Sequence, residues 1–398
     1  MMKNDKFQEI AEKYGTPFFL FEIDALFERI EVIKQKLQDR ADLCYAVKAN
    51  PFLISYLDQV VEKFEVCSPG EYEICRTLGI DTRKIVLSGV YKNVNDLRET
   101  FEDMFEGVYT IESKQQCNNL CSLAKQNKRK VHVLLRLTSG NQFGMNREDI
   151  EAIINDKDYM DYLLIDGIHF FSGTQKKNIS VMNDEIRELV DFCDDLKQKY
   201  GFAIQKLEYG PGLYIDYFGG EAESYSHMEA LREYLSQVKD DIKVTIELGR
   251  YLTALCGKYI TKVVDVKKNQ NVNYAIVDGG INHIDYYGQM TGIKEPHVSV
   301  VYMSEGENCP KERWIVCGAL CTVHDILLKK FEAESLKEGD LFVFQDAGAY
   351  AVTDTKVLFL SRDLPAVLIE QNGKIECLRE VKATSVLNRR DGKDGEKI

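Results

Sequence analysis

The sequence reads as an α/β chain in two parts: a parallel (β/α)8 TIM barrel and a second, mostly antiparallel β domain. Three observations carry that reading. Between residues 40 and 250, short β-branched or aromatic runs alternate with amphipathic stretches in eight strand–helix units, the number that closes such a barrel. After about residue 255 the pattern becomes strand–turn–strand with little helix. A length of 398 residues exceeds one ordinary domain, so two are expected. An open doubly wound sheet is the rival for the first part, and eight units favour closure.

The barrel strands are expected at "LCYAV" (43–47), "FEVC" (64–67), "KIVLS" (84–88), "GVYTI" (107–111), "VHVLLRL" (131–137), "LLIDGIHFF" (163–171), "KLEYG" (206–210) and "KVTIEL" (243–248). Each is a run of the kind that parallel strands buried on both faces carry. Helical spacing of apolar residues marks "SKQQCNNLCSLAKQ" (113–126) and "SVMNDEIRELVDFCDDLKQKY" (180–200) between them. Strands of the second domain are expected in "KYITKVVDVKKNQNVNYAIVDGG", "HVSVVYM", "RWIVCG", "GDLFVFQDAG", "KVLFL" and "AVLIEQNGKIECL". "TPFFLFE" (16–22) is one more strand, expected to join that domain. The boundaries follow: barrel 26–255, β domain 256–390 together with 1–25, and a polar tail 391–398 expected to fray. There is no internal repeat and no low-complexity linker.

Composition excludes several classes. The chain is 44% hydrophobic and 29% charged, ordinary for a globular protein. A net charge of −13 argues against nucleic acid and anionic membranes as partners. No apolar run is long enough to span a bilayer. "MMKNDKFQEIAEKYG" has no apolar signal region, and the eleven cysteines form no regular framework. A cytoplasmic protein with reduced thiols is therefore expected.

Chemistry in such a barrel sits at the C-terminal strand ends, and the unusual residues fall there. Lys48 follows the first strand, Ser68 and Glu71 the second, Lys92 the third, and Arg136 closes the fifth. His169, Phe171 and Thr174 end the sixth, Gly210 and Gly212 lie in "YGPG" after the seventh, and Glu247 with Arg250 end the eighth. Lys48 alone could be a lysine snorkelling to the surface. Amid this convergence it reads as an amine that forms an imine with a carbonyl cofactor. A Gly/Pro loop can cradle a phosphate, although many are plain turns. Glu247 could hold a heteroaromatic nitrogen protonated while Arg250 meets a phosphate; a surface salt bridge is the plainer alternative. In "CGALCTVHDILL" (317–328), Cys321 and Asp325 share a Gly-led turn, where a structural cysteine is the commoner outcome.

These pieces, "YAVKANP", "CSPGE", "GIHFFSGTQ", "YGPGL", "ELGRY", "CGALCTVHD" and "DAGAY", occur in an order that resembles the fold-type III pyridoxal-phosphate decarboxylases. Diaminopimelate, ornithine and arginine decarboxylases belong to that family, which shares its fold with alanine racemases. The resemblance implies pyridoxal 5′-phosphate held by Lys48, with Glu247 at its ring nitrogen. It places Thr174, Gly210, Gly212, Arg250 and Tyr350 at the phosphate, and Glu65, His169 and Phe171 around the ring. It makes Cys321, lent by the partner of a homodimer with shared active sites, a candidate acid that returns a proton to the substrate Cα. Arg136, Thr322 and Asp325 would face the substrate. A racemase is disfavoured because such enzymes place an arginine where Glu247 stands; a catalytically silent homologue is disfavoured because Lys48, Glu247, Arg250 and Cys321 are all present.

Departures from the family pattern bear on the substrate. "HFFSGT" has Phe171 where a histidine usually stacks on the ring, and Glu65 replaces an aspartate. Diaminopimelate decarboxylases have a glutamate after the cysteine and an arginine in the segment matching "VDGGINHIDYYGQM"; here Thr322 stands at the first place and the second has no arginine. Together with "LFLSRDLPAVL", these features look more like the branch that decarboxylates an amino acid tethered to an acyl-carrier protein, a glutamyl thioester. A free basic amino acid is the alternative. Lys176 and Lys177 are candidates for a basic patch that receives an acidic carrier.

Overall fold

The computed structural model describes residues 4–219, 225–289, 293–303 and 310–390; the tail 391–398 lies outside them. The chain forms two compact units, one of residues 27–215 and 222–252, the other of residues 1–26, 216–221 and 253–398.

The first unit is a closed barrel of eight parallel strands. Counting Phe18–Glu22 as β1, they are β2 (Asp42–Ala46), β3 (Lys63–Val66), β4 (Ile85–Leu87), β5 (Val108–Ile111), β6 (Val131–Arg136), β7 (Leu163–Phe171), β8 (Lys206–Gly210) and β9 (Lys243–Leu248). Closure is made by β2 on β9, with Cys44 opposite Glu247. The strands form where expected because their side chains are buried on both faces, which takes continuous apolar runs. Helices between them start on polar caps. Ser68 accepts from the Glu71 N–H and Ser113 from the Gln116 N–H. In each case the third residue reaches back: Glu71 accepts from Cys67 N–H at 2.6 Å and Gln116 from Glu112 N–H at 3.0 Å. Ser68 and Glu71, read as rim polar groups, are thus engaged in helix capping.

The second unit is a nine-stranded mixed sheet. Its strands after β1 are β10 (Gly257–Asn269), β11 (Val272–Val277), β12 (Val298–Val301), β13 (Glu312–Cys317), β14 (Ile326–Ala333), β15 (Leu341–Phe344), β16 (Ala366–Gln371) and β17 (Lys374–Arg379). Most pairs are antiparallel; β1 with β16 and β11 with β13 are parallel. β1 is central, between β10 and β16, and four of its five residues are buried. The helix Asn4–Tyr14 packs Phe7 and Ile10 onto a core with Phe18, Ile260, Val343 and Leu368. "KVLFL" is not a strand. Leu358, Phe359 and Leu360 are 43–49% exposed, and Leu360 takes φ 57° in a turn around Phe359–Ser361. An apolar run with no sheet edge to pair with does not make a strand. Among the described residues, no helix is long and apolar enough to cross a membrane.

Candidate active site

β2 stops at Ala46 because Val47–Ala49 form a single 3-10 turn and Asn50 caps the next, its side chain accepting the Phe52 N–H at 3.2 Å ahead of Pro51. Lys48 is left at the barrel mouth between buried Val47 and Ala49. Its ammonium pairs with Glu65 and lies 3.6 Å from Glu247 Oε1 and 3.5 Å from Cys67 Sγ. A snorkelling lysine turns its head to water; this one faces two carboxylates that are 2% and 7% exposed.

Burial, and then the Glu247 charge, pushes the Glu65 carboxyl up against the pull of Lys48. His169 is fully buried with Nε2 3.0 Å from Glu247 Oε2. Burial, followed by the nearby Arg136 charge, drives its pKa down to about 3. The imidazole is therefore neutral and donates its Nε2–H to Glu247. Glu247 is buried and meets Lys48 and His169 rather than solvent.

Two rim loops are stitched together on the far side. The Lys176 N–H donates to Gly212 O at 2.9 Å, and the Gln175 amide grips Ile215 at both backbone groups, at 2.7 and 3.1 Å. This brings the Thr174 and Gly212 loops side by side. Gly212 has φ 61°, and a Cβ there would fall 1.9 Å from Gly173 O. Phe171 packs on Gly210, where a Cβ would meet its ring at 2.5 Å. Arg250 follows β9 at the start of the turn Arg250–Thr253 and is half-buried.

Other rim residues are already partnered. Arg136 is buried, donates to Glu112 Oε1 at 3.1 Å and stacks 4.7 Å from the Phe143 ring centre. Lys92 donates to Gly89 O at 2.6 Å and Gln116 Oε1 at 3.2 Å, and burial lowers it to about 8. Lys176 is ion-paired to Glu185 at 2.7 Å with its side chain only 12% exposed. The basic patch expected at Lys176 and Lys177 is corrected to Lys177 alone, which lies over the Tyr214 ring at 4.5 Å.

The pattern described as "Pyridoxal-dependent decarboxylase, pyridoxal binding domain" matches residues 23–254, more than half of the chain. This chain belongs to the pyridoxal-dependent decarboxylases. It is 24% identical over 397 residues to an L-glutamyl-[BtrI acyl-carrier protein] decarboxylase of Niallia circulans, covering 93% of this chain and 92% of the other. It is 27% identical to the diaminopimelate decarboxylase of Aquifex aeolicus, covering 94% and 91%. The crystal structure of AQ1208 from Aquifex aeolicus superposes with a TM-score of 0.81 at 26% identity, covering 96% of this chain and 92% of that one.

The residues of this decarboxylase fit pyridoxal phosphate. A lysine amine stands at the barrel mouth, a buried carboxylate is available for a pyridinium nitrogen, and Gly212 lets two glycine-bearing rim loops lie against each other where any Cβ would strike Gly173 O. Of the remaining expected site residues, four lie in the second unit. Cys321 is exposed, and Thr322 is half-buried beside it. Asp325 is buried, and both its oxygens accept backbone N–H groups, from Ile281 at 2.9 Å and Leu320 at 2.7 Å. The geometry therefore gives Asp325 the task of holding the cysteine turn. Tyr350 has φ 67°, uncommon for an aromatic residue.

Glu112, Glu208 and Cys67 were not singled out from the sequence. The available signal was an acid at or inside an apolar strand run, as in "TIES" and "KLEYG". Cys67 also lines a cavity of about 550 Å³ with Ser68, Tyr72 and Lys92.

Proposed function

We propose that this decarboxylase acts on an amino acid whose far end carries no second free amino–carboxylate centre, a glutamyl group on an acyl-carrier protein being the leading substrate. We further propose that it works in the cytoplasm as a homodimer with shared active sites. Thr322 carries the substrate reading. A site that reads a distal amino group and carboxylate places charges there, because charged groups left unmatched in a pocket are costly. This turn offers a hydroxyl, and no arginine stands between residues 277 and 290. The Niallia circulans relative, whose name gives a carrier-linked substrate, matches over nearly the whole chain.

Exposed apolar surface beside the turn supports a second copy there. Val323 is 84% exposed, and Thr322 and Phe359 line one groove. The ten described cysteines are free thiols, in keeping with a reducing compartment.

Bound pyridoxal phosphate supplies an electron sink for the pair left on Cα as carbon dioxide departs. Lys48 would be the amine that holds it, and Glu65, which pairs with the Lys48 ammonium in this structure, would hold that group whenever it is free. Glu247, oriented by its hydrogen bond with His169, would be the carboxylate placed at the ring nitrogen. Phe171 offers a flat apolar face and carries no proton. Thr174, Gly210, Gly212, Arg250 and Tyr350 would bind phosphate. Cys321 from a second copy would return a proton to Cα.

The test is carbon dioxide release from a panel of free and carrier-loaded amino acids. Turnover of carrier-linked glutamate with poor turnover of free meso-diaminopimelate is expected. Efficient release from free diaminopimelate would refute the reading of Thr322.

A further inference from the structure

The barrel interior holds an acid that the reaction above does not use. Glu208 lies on β8, paired in register with His169 of β7 and Thr245 of β9. It is 4% exposed, and its Oε1 is buried without a hydrogen bond. A ring nitrogen of His169 and a carboxylate oxygen from each of Glu208 and Glu247 all lie within 4.8 Å of one another. The Nδ1 of His169 is a second buried atom without a hydrogen bond.

We propose that Glu208 is a positioning residue: it stays protonated and donates into the Glu247–His169 pair, so that Glu247 carries the one negative charge directed at the cofactor nitrogen. This rests on the decarboxylase reading for its consequence, but the protonation of Glu208 stands apart from it.

The surroundings of Glu208 can be counted. Glu247 comes from β9, Glu65 and Lys63 from β3, Lys206 from its own strand, Cys44 from β2 and His169 from β7. Burial, and then the charges of Glu247 and Glu65, hold the Glu208 carboxyl well above the usual range against the weaker pull of Lys63 and Lys206. His169 is neutral and cannot offset it. Lys48 is engaged by Glu65. Glu65 and Glu247 both lie against the Lys48 ammonium, whereas Glu208 Oε1 is buried with no hydrogen-bond partner among the described residues. A neutral carboxyl there has a hydrogen to donate, whereas an ionised one would repel Glu247 and leave its own oxygen unsatisfied.

Glu208→Gln reproduces the neutral, donating form, and Glu208→Leu removes the donor. Infrared difference spectra of the apo-protein at neutral pH should contain a protonated-carboxyl band that Glu208→Gln abolishes. In the holoprotein, the pH midpoint of cofactor absorbance should match wild type in Glu208→Gln and shift by about one unit in Glu208→Leu, as expected for loss of a hydrogen bond to a charged group. Absence of the carboxyl band, or a Glu208→Gln midpoint as displaced as that of Glu208→Leu, would overturn the proposal. So would stoichiometric Zn²⁺ binding by the apo-protein that Glu208→Gln removes, because the trio would then be a metal site. If no variant or wild type takes up pyridoxal phosphate, the functional reading fails while the infrared result still decides on Glu208. If Glu208→Leu does not fold, the band and the glutamine variant suffice.

Discussion

Replacing Gly212 with alanine tests the phosphate cradle without knowledge of the substrate. At φ 61° the new side chain enters the left-handed region, at about 1 kcal/mol. Its Cβ would also sit 1.9 Å from Gly173 O, where non-bonded heavy atoms need about 3.5 Å. The obstacle is backbone, tied by the Lys176–Gly212 bond and by the Gln175 clamp on Ile215. It cannot swing aside as a side chain would, so the two loops must part and the amide groups proposed to face phosphate would move with them. Each hydrogen bond to a charged group is worth roughly 1.5–3 kcal/mol, so each one lost weakens pyridoxal phosphate binding about 10- to 150-fold. Gly201 supplies the control: φ 66° at the end of the helix Ser180–Tyr200, with nothing within 4 Å of its Cβ. Gly201→Ala bears the conformational penalty without the collision. That penalty lowers the melting temperature by about 2–4 °C in a unit of this size. Titration of the apo-proteins with pyridoxal phosphate, followed by absorbance, should find near-normal affinity in Gly201→Ala and a large loss in Gly212→Ala. Equal affinity in the two would refute the cradle.

Lys48→Ala should abolish the imine absorption band near ~420 nm; an unaltered band would remove Lys48 from its role. Glu247→Gln keeps an oxygen to accept from His169 but loses the charge, a difference of about 1–2 kcal/mol. Carbon dioxide release should therefore fall roughly 10-fold or more, and an unchanged rate would count against an ionised Glu247. The His169 pKa lies far below its ordinary value, so stability is complete above about 6.5 and falls as pH drops toward about 3, because the unfolded imidazole takes a proton that the folded one refuses. Denaturant midpoints of the apo-protein should show that acid slope in wild type and a shallower one in His169→Asn; identical slopes would contradict the neutral buried ring.

The barrel was legible because its strands must be apolar on both faces, so that "LLIDGIHFF" could be taken whole as β7. "KVLFL" misled for the same reason: hydrophobicity marks a candidate strand, but pairing decides, and here Leu360 and Ser361 both turn left-handed. The helix Asn4–Tyr14 went unread because its core-facing side is short: Phe7 and Ile10 are buried, with Ala11 and Tyr14 partly buried against the same core. Lys48, His169 and Glu247 were readable from strand-end position alone, which topology maps onto one rim. Glu112 and Glu208 were not. The partner of Glu112, Arg136, is 24 residues away, and Glu208 meets Glu247 only through barrel closure. An acid in a strand reads locally as a solvent-facing residue, and nothing short of the register turns it inward.

The same division explains why the reaction class and the substrate are encoded so differently. Glu247, His169 and Glu65 are buried in barrel strands, where each satisfies or charges another. Removing one leaves a desolvated polar group behind, a change worth several kcal/mol. The chemistry is thereby tied to the stability of the barrel. The turn bearing Cys321, Thr322 and Val323 is different. Asp325 holds it from behind through two backbone bonds, and its tip is exposed. Surface substitutions of that kind usually change stability by less than about 0.5 kcal/mol. Thr322 can therefore vary without disturbing the fold or the electron sink. The similar proteins include ones whose names specify a carrier-linked glutamyl group and diaminopimelate. On the proposed reading, substrate choice follows the exposed turn, whereas decarboxylation follows the buried acids.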